Sequence, residues 1–399
     1  MTPPHAVIAG AGIGGLSTAL CLARAGWRIS LYEKAAVLEE SGAGLQLSPN
    51  ACAVLRKLGV IERLIPFALR PEAIRIRRAR DGATLALMPL DDAERRWGAP
   101  YLVVHRADLQ RALLEAIARE DGIRLTTGAA VAGFAAGKEG VAVALVQGAV
   151  RLKVEGDCLI GADGLRSFVR QRLHADSLRL SGRTAWRAIV DAARVPAAMA
   201  RRESNLWLGR KAHLVHYPLR GGAIINVVAI VDEDFHPDAE AFWSSPGDPK
   251  CLEARFSRWD GAARTLLRAA PEWRKWPLAD RRPIASFVSG RAVLVGDAAH
   301  PMLPFLAQGA AQAIEDADVL GEVLTPGRDI EAGLLAYQEA RLTRAARVQK
   351  ESRRQAMIYH LGGPAAFLRD RVIRALGPES LLARYDWLYD AHPANGGAP

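Results

Sequence analysis

The residues best suited to bind an anion stand first in the chain. Gly10-Ala-Gly12-Ile13-Gly14-Gly15 follows a short apolar run, Ala6–Ala9, and opens a helical pattern from Leu16 to Arg24. Glu33 closes the next alternating segment, Trp27 to Tyr32. In that order each residue has a task. Gly10 permits the tight turn, Gly12 lets the backbone approach a pyrophosphate, and Gly15 allows close helix–strand packing. The diphosphate lies on the helix N-terminus, where unpaired N–H groups and the dipole favour negative charge. A carboxylate at Glu33 accepts hydrogen bonds from ribose hydroxyls and disfavours a 2′-phosphate. This pattern predicts bound FAD or NAD.

Two later segments repeat the theme. Gly161-Ala-Asp163-Gly164-Leu165-Arg166-Ser167 follows the apolar Cys158–Ile160, and Gly296-Asp297-Ala-Ala-His300-Pro301 follows Ala292–Val295. Each puts an acid at the carboxyl end of a strand and the start of a helix, the edge where open α/β sheets bind ligands. A lone Gly-Asp is a common turn; together with the first motif, the two select FAD. Asp297 is placed to hydrogen-bond a ribitol hydroxyl. The N–H groups of residues 308–311 open a helix that can face a pyrimidine carbonyl or a second phosphate.

The elements that must hold these residues follow from periodicity. Strand, glycine turn, helix and strand at the N-terminus imply a parallel pair with a right-handed crossover. Asp108 to Arg119 reads as an amphipathic helix, followed by short strands around 123–125, 130–134, 141–146 and 151–154. From Arg183 to Val231 the alternation is that of antiparallel sheet, with strands at 186–191, 204–208, 213–218 and 223–231. A helix is expected from about Gln308 to Leu324, and the chain from Leu334 is helical, basic and without a clear interface stripe. The tail after His392, rich in Pro, Gly and Ala, reads as frayed.

Composition narrows the class. Half of the 399 residues are hydrophobic and 24% are charged, as in a globular protein with a sizeable core. The four cysteines (Cys21, Cys52, Cys158, Cys251) form no CxxC pair, which excludes a disulfide scaffold, a zinc ribbon and a thioredoxin-like site, and fits a reducing cytoplasm. No metal ligand set is expected. The net charge of +10 admits anionic partners. Its clusters at 75–80, 201–202, 281–282 and 341–354 read as solvated faces, and no nucleic-acid motif accompanies them. Ala6 to Ala23 lacks charge, but its glycines break it into strand and helix, so no membrane segment or signal peptide is expected and the location is cytoplasmic.

These motifs, with Gly42-Ala-Gly-Leu-Gln-Leu-Ser-Pro-Asn50, His105-Arg106-Ala-Asp-Leu109 and Gln308-Gly-Ala-Ala-Gln-Ala-Ile-Glu-Asp316, resemble the class A flavoprotein aromatic monooxygenases over roughly residues 7–341. The resemblance is greatest to the salicylate hydroxylase and 3-hydroxybenzoate 6-hydroxylase branch. It implies an α/β fold: a Rossmann-like FAD-binding domain of the para-hydroxybenzoate hydroxylase type, an antiparallel-sheet substrate domain and C-terminal helices. The corresponding segments are 1–73, 97–181 and 280–345 for FAD, 74–96 and 182–279 for substrate, and 346–399 for the helices. By the same resemblance, Gly10 to Gly15 with Glu33 and Lys34 hold the ADP half of FAD, and Val131 sits near the adenine. Gly44, Leu45 and Gln46 run beside the isoalloxazine, and Arg106 reaches the ribityl-phosphate region. Asp163 and Arg166 touch FAD and influence NAD(P)H. Asp297 binds the ribityl chain, Gly309 and Ala310 approach a ring oxygen, and Pro301 belongs to the loop over the flavin. Ala311 stands where many relatives carry Asn or Cys. A homodimer is allowed for, since dimers are common in relatives.

The implied reaction takes a hydride from NADH or NADPH to FAD, adds O2 to form a flavin C4a-hydroperoxide, and transfers one oxygen to an electron-rich ring. The protein must place the ring, deprotonate its phenol and keep water away. His213 and Tyr217 lie four apart on a predicted strand and share a face. If that face lines the pocket, His213 is the candidate base and Tyr217 its companion, whereas His216 points away. Trp186-Arg187 offers an aromatic wall and a cation for a substrate carboxylate; His300, at a helix entry, reads as structural. Pro304 stands where the 3-hydroxybenzoate branch commonly has Gln, which leans the substrate toward salicylate or a hydroxynicotinate. The alternatives are a same-scaffold monooxygenase of a purine or polycyclic compound, or a flavin reductase that does not hydroxylate.

Overall fold

The computed structural model describes residues 2–38, 43–235 and 244–390. Gly42 and the tail after His392, both singled out above, lie outside the described residues. The first sheet has six strands in the spatial order Val288–Ser289, Ala292–Leu294, Cys158–Gly161, His5–Ala9, Arg28–Tyr32 and Ile123–Thr126. All neighbours run parallel except the 288–289/292–294 hairpin. The three central strands are buried along their whole length, as continuous apolar runs in a sheet covered on both faces should be. Ile8 pairs with both Leu31 and Ile160, and Ile160 with Val293. This register brings Gly10, Glu33, Asp163 and Asp297 to one edge of the sheet.

The first helix begins at Ile13, one turn earlier than expected at Leu16, so Gly14 and Gly15 are helical and the turn is only Gly10 to Gly12. That is possible because neither glycine carries a side chain: a Cβ on Gly15 would stand 1.9 Å from the Gly10 carbonyl oxygen. The helix Gly309–Val323 packs beside it, with Ala313 against Gly14 and Cys21 against Gly321. Their N-termini therefore lie side by side.

The second sheet has eight strands in the order Ser245–Gly247, Trp273–Asp280, Arg179–Asp191, Ile224–Asp232, Ala212–Leu219, Glu203–Gly209, Ala73–Arg78 and Thr84–Pro89. Its back carries Trp186, Trp207, Leu214 and Val227 into a core closed by Phe256 and Leu266. On its front lie His213, Val215 and Tyr217, paired through Ile230, Val228 and Asn226 to Ala185, Arg187 and Ile189.

Several arginine clusters are not the solvated faces expected. Arg75 and Arg77 alternate with Ile74 and Ile76 on a sheet strand. There Arg75 forms a two-pronged pair with Glu203 at 2.6 and 2.7 Å, and Arg77 lies 5.1 Å over Trp207. Arg281 and Arg341 are buried. The C-terminal helices, Ile330–Tyr359 and Gly363–Ala383, cover the front of the second sheet; the latter breaks at Gly377, in the left-handed region, before Pro378. An apolar strip was not expected here, yet Met357, Phe367, Leu368 and Val372 are exposed, the last two one helical turn apart. All four cysteines are free thiols. Among the described residues no helix is long and apolar enough to cross a membrane.

Candidate functional site

The crevice at the carboxyl edge of the first sheet is built for a dinucleotide. Gly10 (φ +100°) must be glycine, because a Cβ there would meet the Ala162 carbonyl oxygen at 2.5 Å. Nothing lies within 4 Å of where a Cβ on Gly12 would sit, so that position faces open space. Gly12 also begins the first helix with no side-chain cap and no acid in the first turn, leaving N–H groups for an anion. Glu33 accepts from Ala11 N and Ala35 N at 2.9 Å each, one through each oxygen. The carboxylate is thus fixed against the glycine turn with a second lone pair on each oxygen to spare. Lys34 is exposed beside it, and the strand carrying Val131 starts where Ala129 N donates to the Glu33 carbonyl.

The other acidic turns converge on the same edge. One Asp163 oxygen caps the helix Phe168–Leu173 by accepting from Phe168 N and Val169 N; the other is buried without a partner among the described residues. Burial raises this carboxyl, and its hydrogen bonds only partly offset that. Arg166 follows on the same turn, half-buried. Asp297 has its surface open to the crevice while protein crowds it from behind; desolvation raises its carboxyl against the pull of His300 and Arg106. Its Oδ1 lies 3.9 Å from the Cβ position of Gly309, at the uncapped N-terminus that also presents Ala310. Arg106, exposed, opens the helix Arg106–Ile117 capped by His105. These glycine, carboxylate and helix-end positions fit FAD, and the open face of Gly12 with the uncapped helix N-termini is what a ligand there would use. Among the described residues no cluster of His, Cys, Asp or Glu could hold a metal ion.

A buried network behind Asp297 sets its turn. Asp316 accepts from Gly296 N at 2.8 Å, pairs with His300 at 2.7 Å and meets Arg341 Nε at 2.7 Å. Arg341 also pairs with Glu315, which binds Arg344 and Asn50. His300 is therefore a structural partner, as its position suggested. The Pro301 carbonyl is tied by Gln349 Nε2 at 2.8 Å.

Between the front of the second sheet, the loop 304–307 and the C-terminal helices lies a cavity of about 590 Å³. Apolar side chains such as Ile74, Met88 and Leu206 line it; Gln46, Tyr101, Ser204 and His213 are among its polar groups on the sheet side, and Arg354, Arg369 and Arg384 line it from the C-terminal helices. Gln46 accepts from Tyr101 Oη at 2.7 Å. Ala307, in the left-handed region at φ +54°, lines the cavity with Gln46. Gly44 N donates to Asn226 Oδ1 at 2.8 Å, and a Cβ on Gly44 would collide with Asn226 and Tyr217. Leu45 packs on the core of the first sheet.

His213 and Tyr217 do share the front face, but they serve different ends of it. Tyr217 packs under Gly44, with burial raising its phenol. His213 enters the cavity between Phe305 and Tyr359, at ring distances of 5.1 and 5.4 Å. Its Nδ1 lies 2.8 Å from His360 Nε2, and His360 Nδ1 lies 2.5 Å from Asp232 Oδ1. Neither His360 nor Asp232 was legible as a partner in the sequence. Burial, then His360 and Arg183, pushes His213 well below the ordinary histidine range. His216 is on the back, as expected, buried against Trp207. Trp186 is no cavity wall: it faces the back core and donates to Glu233. Arg187 does face the front, 4.4 Å over Trp276, with its Nε buried and unpartnered among the described residues. Burial lowers it to about 10.

Comparison with known proteins agrees with this architecture. Residues 4–352 match a family model described as an FAD binding domain. The chain is 37% identical to 3-amino-4-hydroxybenzoate 2-monooxygenase PtnB3 of Streptomyces platensis, over 99% of this chain and 98% of that protein. It is 35% identical to 3-hydroxybenzoate 6-hydroxylase of Polaromonas naphthalenivorans, over 98% and 96%. Among solved structures, HpxO of Klebsiella pneumoniae with FAD and uric acid superposes with a TM-score of 0.86 at 26% identity, covering 98% of each chain. A salicylate hydroxylase substrate complex gives 0.83 at 25%, covering 100% of this chain and 99% of the other. The chain belongs to the FAD-binding-domain family and is a class A FAD-dependent aromatic monooxygenase.

Proposed function

We propose that the protein hydroxylates a phenolic aromatic carboxylic acid, using NADH or NADPH as reductant and O2 as oxidant, with His213 as the base that takes the phenol proton. The observation that carries this reading is the placement of His213. It is the one imidazole lining the cavity among the described residues, and the ring nitrogen not engaged by His360 is left to a ligand. Burial holds it uncharged, so its lone pair is available to the phenol proton at neutral pH. Gln46, Ser204 and Tyr101 orient polar substituents of the ring, while the apolar walls exclude water. Arg187, on the same sheet face but outside the cavity lining and without a carboxylate partner among the described residues, is the cation we assign to a substrate carboxylate.

Gly10, Gly12, Ile13, Gly14, Gly15, Glu33 and Lys34 would hold the ADP half of FAD, and Asp163, Arg166 and Asp297 its middle. Bound FAD supplies the storage of the hydride and the activation of O2. The named relatives act on hydroxylated benzoates, and Pro304 in the cavity wall favours salicylate or a hydroxynicotinate within that class. A purine is the second reading, because the neighbour HpxO was solved with uric acid. The test is NADH and NADPH oxidation with 3-hydroxybenzoate, 3-amino-4-hydroxybenzoate, salicylate, hydroxynicotinates and uric acid, scored for product mass. A product heavier by one oxygen from a phenolic acid supports the first reading. Turnover of uric acid alone supports the second.

A further inference from the structure

We propose that His360 and Asp232 form a proton relay behind His213, so that the positive charge created when His213 takes the phenol proton comes to rest on His360 beside the Asp232 carboxylate instead of on the imidazole that meets the substrate. The inference rests on His213 being the base, and extends it to two positioning residues outside the cavity's polar lining.

The donors and acceptors fix the direction of the chain. A carboxylate only accepts, and at 2.5 Å Asp232 Oδ1 is far closer to His360 Nδ1 than the competing donor Arg183 Nε at 3.5 Å, so His360 Nδ1 carries the hydrogen shared with Asp232. Neutral His360 then has its lone pair on Nε2, which accepts from His213 Nδ1–H at 2.8 Å. His213 is left with its lone pair on Nε2, the form a general base requires. The three groups come from three separate elements: the strand Ala212–Leu219, the C-cap of the helix Ile330–Tyr359 and the end of the strand Ile224–Asp232. One residue ties them. Lys211, in the left-handed region at φ +58°, donates its N–H to the His360 carbonyl at 3.1 Å and accepts from Asp232 N at 2.8 Å. The hairpin that carries His213 thus fixes both partners by their backbones.

The surrounding charges explain why a relay is needed. His213 is packed by Phe305, Tyr359 and His360, with Arg183 the nearest fixed cation. No carboxylate touches it among the described residues, so an imidazolium there is unfavourable. Burial lowers His360 as well, but less than His213, because Asp232 pulls it up against Arg183 and, more remotely, Arg369; of the two rings it is the better place for a positive charge. Arg183 Nε lies 3.1 Å from Asp232 Oδ1, and Arg369 is occupied by Asp370 at 2.8 Å. A proton arriving at His213 Nε2 therefore moves on as the Nδ1 proton passes to His360 Nε2. The balance is simple: the phenol O–H bond breaks, one N–H forms on His213 and another is exchanged for one on His360. The result is a phenolate, a neutral His213 and an imidazolium at His360 paired with Asp232.

The test separates relay from mere support. His360→Gln keeps an acceptor for His213 but cannot take up a proton; His360→Leu removes both. Asp232→Asn keeps the contact and removes the charge. With 3-hydroxybenzoate and salicylate as probes, FAD content and melting temperature are recorded for each variant, with the phenolate difference spectrum on binding against pH and the ratio of product to H2O2. The relay predicts that Gln and Leu at 360 are impaired alike, by about tenfold or more in product formation, with phenol ionisation shifted to higher pH and FAD retained. Gln behaving as wild type while Leu is impaired, or unchanged ionisation in Asp232→Asn, would overturn it. If instead the wild type hydroxylates neither probe nor any other phenolic acid, the underlying function is what fails.

Discussion

Asp316 Oδ2 accepts a 2.8 Å hydrogen bond from the backbone nitrogen of Gly296, and so a carboxylate on one helix sets the turn that aims the next residue, Asp297, into the cofactor crevice. The same carboxylate is held by His300 and Arg341, so the aim of Asp297 depends on a buried ion cluster.

Arg341→Met should expose that dependence. Removing the guanidinium leaves Glu315 and Asp316 buried with fewer counter-charges, which typically costs about 3 to 5 kcal/mol. Urea unfolding should show a loss of that size, with FAD retained less well than in wild type. Glu315 is held down to about 2 by Arg341 and Arg344 against the opposing effect of burial. Because its folded value lies below the ordinary carboxylate value, the cluster's contribution is complete above about pH 4.5 and is lost as pH falls toward 2. Wild type should thus lose stability across that acid window, and the variant should lose less.

Gly12→Ala and Gly10→Ala should part company. An alanine at 10 collides with the Ala162 carbonyl in a backbone region it disfavours, whereas an alanine at 12 meets nothing in the protein. We expect Gly10→Ala to express poorly. Gly12→Ala should fold with an apoprotein melting temperature close to wild type, yet bind FAD about tenfold more weakly or worse. Full FAD affinity in the Gly12 variant would remove the pyrophosphate from that position.

These glycines were legible because local geometry dictates them: a strand, a turn and a helix in sequence leave few ways to fold. The shared face of His213 and Tyr217 was legible for the same reason, from a period of two. The buried network was not. Asn50, Glu315 and Arg341 are distant in sequence; the first two stand in motifs that assign them no partner, and Arg341 reads as part of a solvated face until the helices pack. His360 and Asp232 were hidden likewise, since nothing local joins a helix end to a hairpin. The strand Ala73–Arg78 did carry a signal, Ile alternating with Arg, but its charges suggested a solvated face.

His216 offers a pH test on the opposite face. Its ring is fully buried, and burial, then Arg77, lowers it to about 3 against a backbone contact from Met199. Its folded value lies below the ordinary 6.5, so the unfolded chain takes up a proton first as pH falls, and the native state is penalised progressively between about pH 6.5 and 3. His216→Phe should abolish that penalty, narrowing the stability difference between pH 8 and pH 5 by about 2 kcal/mol. An unchanged difference in urea midpoints would show that His216 does not titrate as described.

His213→Ala should leave the yellow cofactor in place, because the contacts of His213 are with Phe305, Tyr359 and His360, on the cavity side. Product formation should fall by about a hundredfold, with NAD(P)H consumption diverted to H2O2. Unchanged coupling would remove His213 from the chemistry.

The most direct test of the whole account is turnover of a hydroxybenzoate by the FAD-loaded protein under isotopically labelled O2. The account predicts that the ring gains a single oxygen, derived from O2, in a reaction that needs NADH or NADPH. Oxidation of the nicotinamide with H2O2 as the only oxygen product, across every phenolic acid offered, would contradict it.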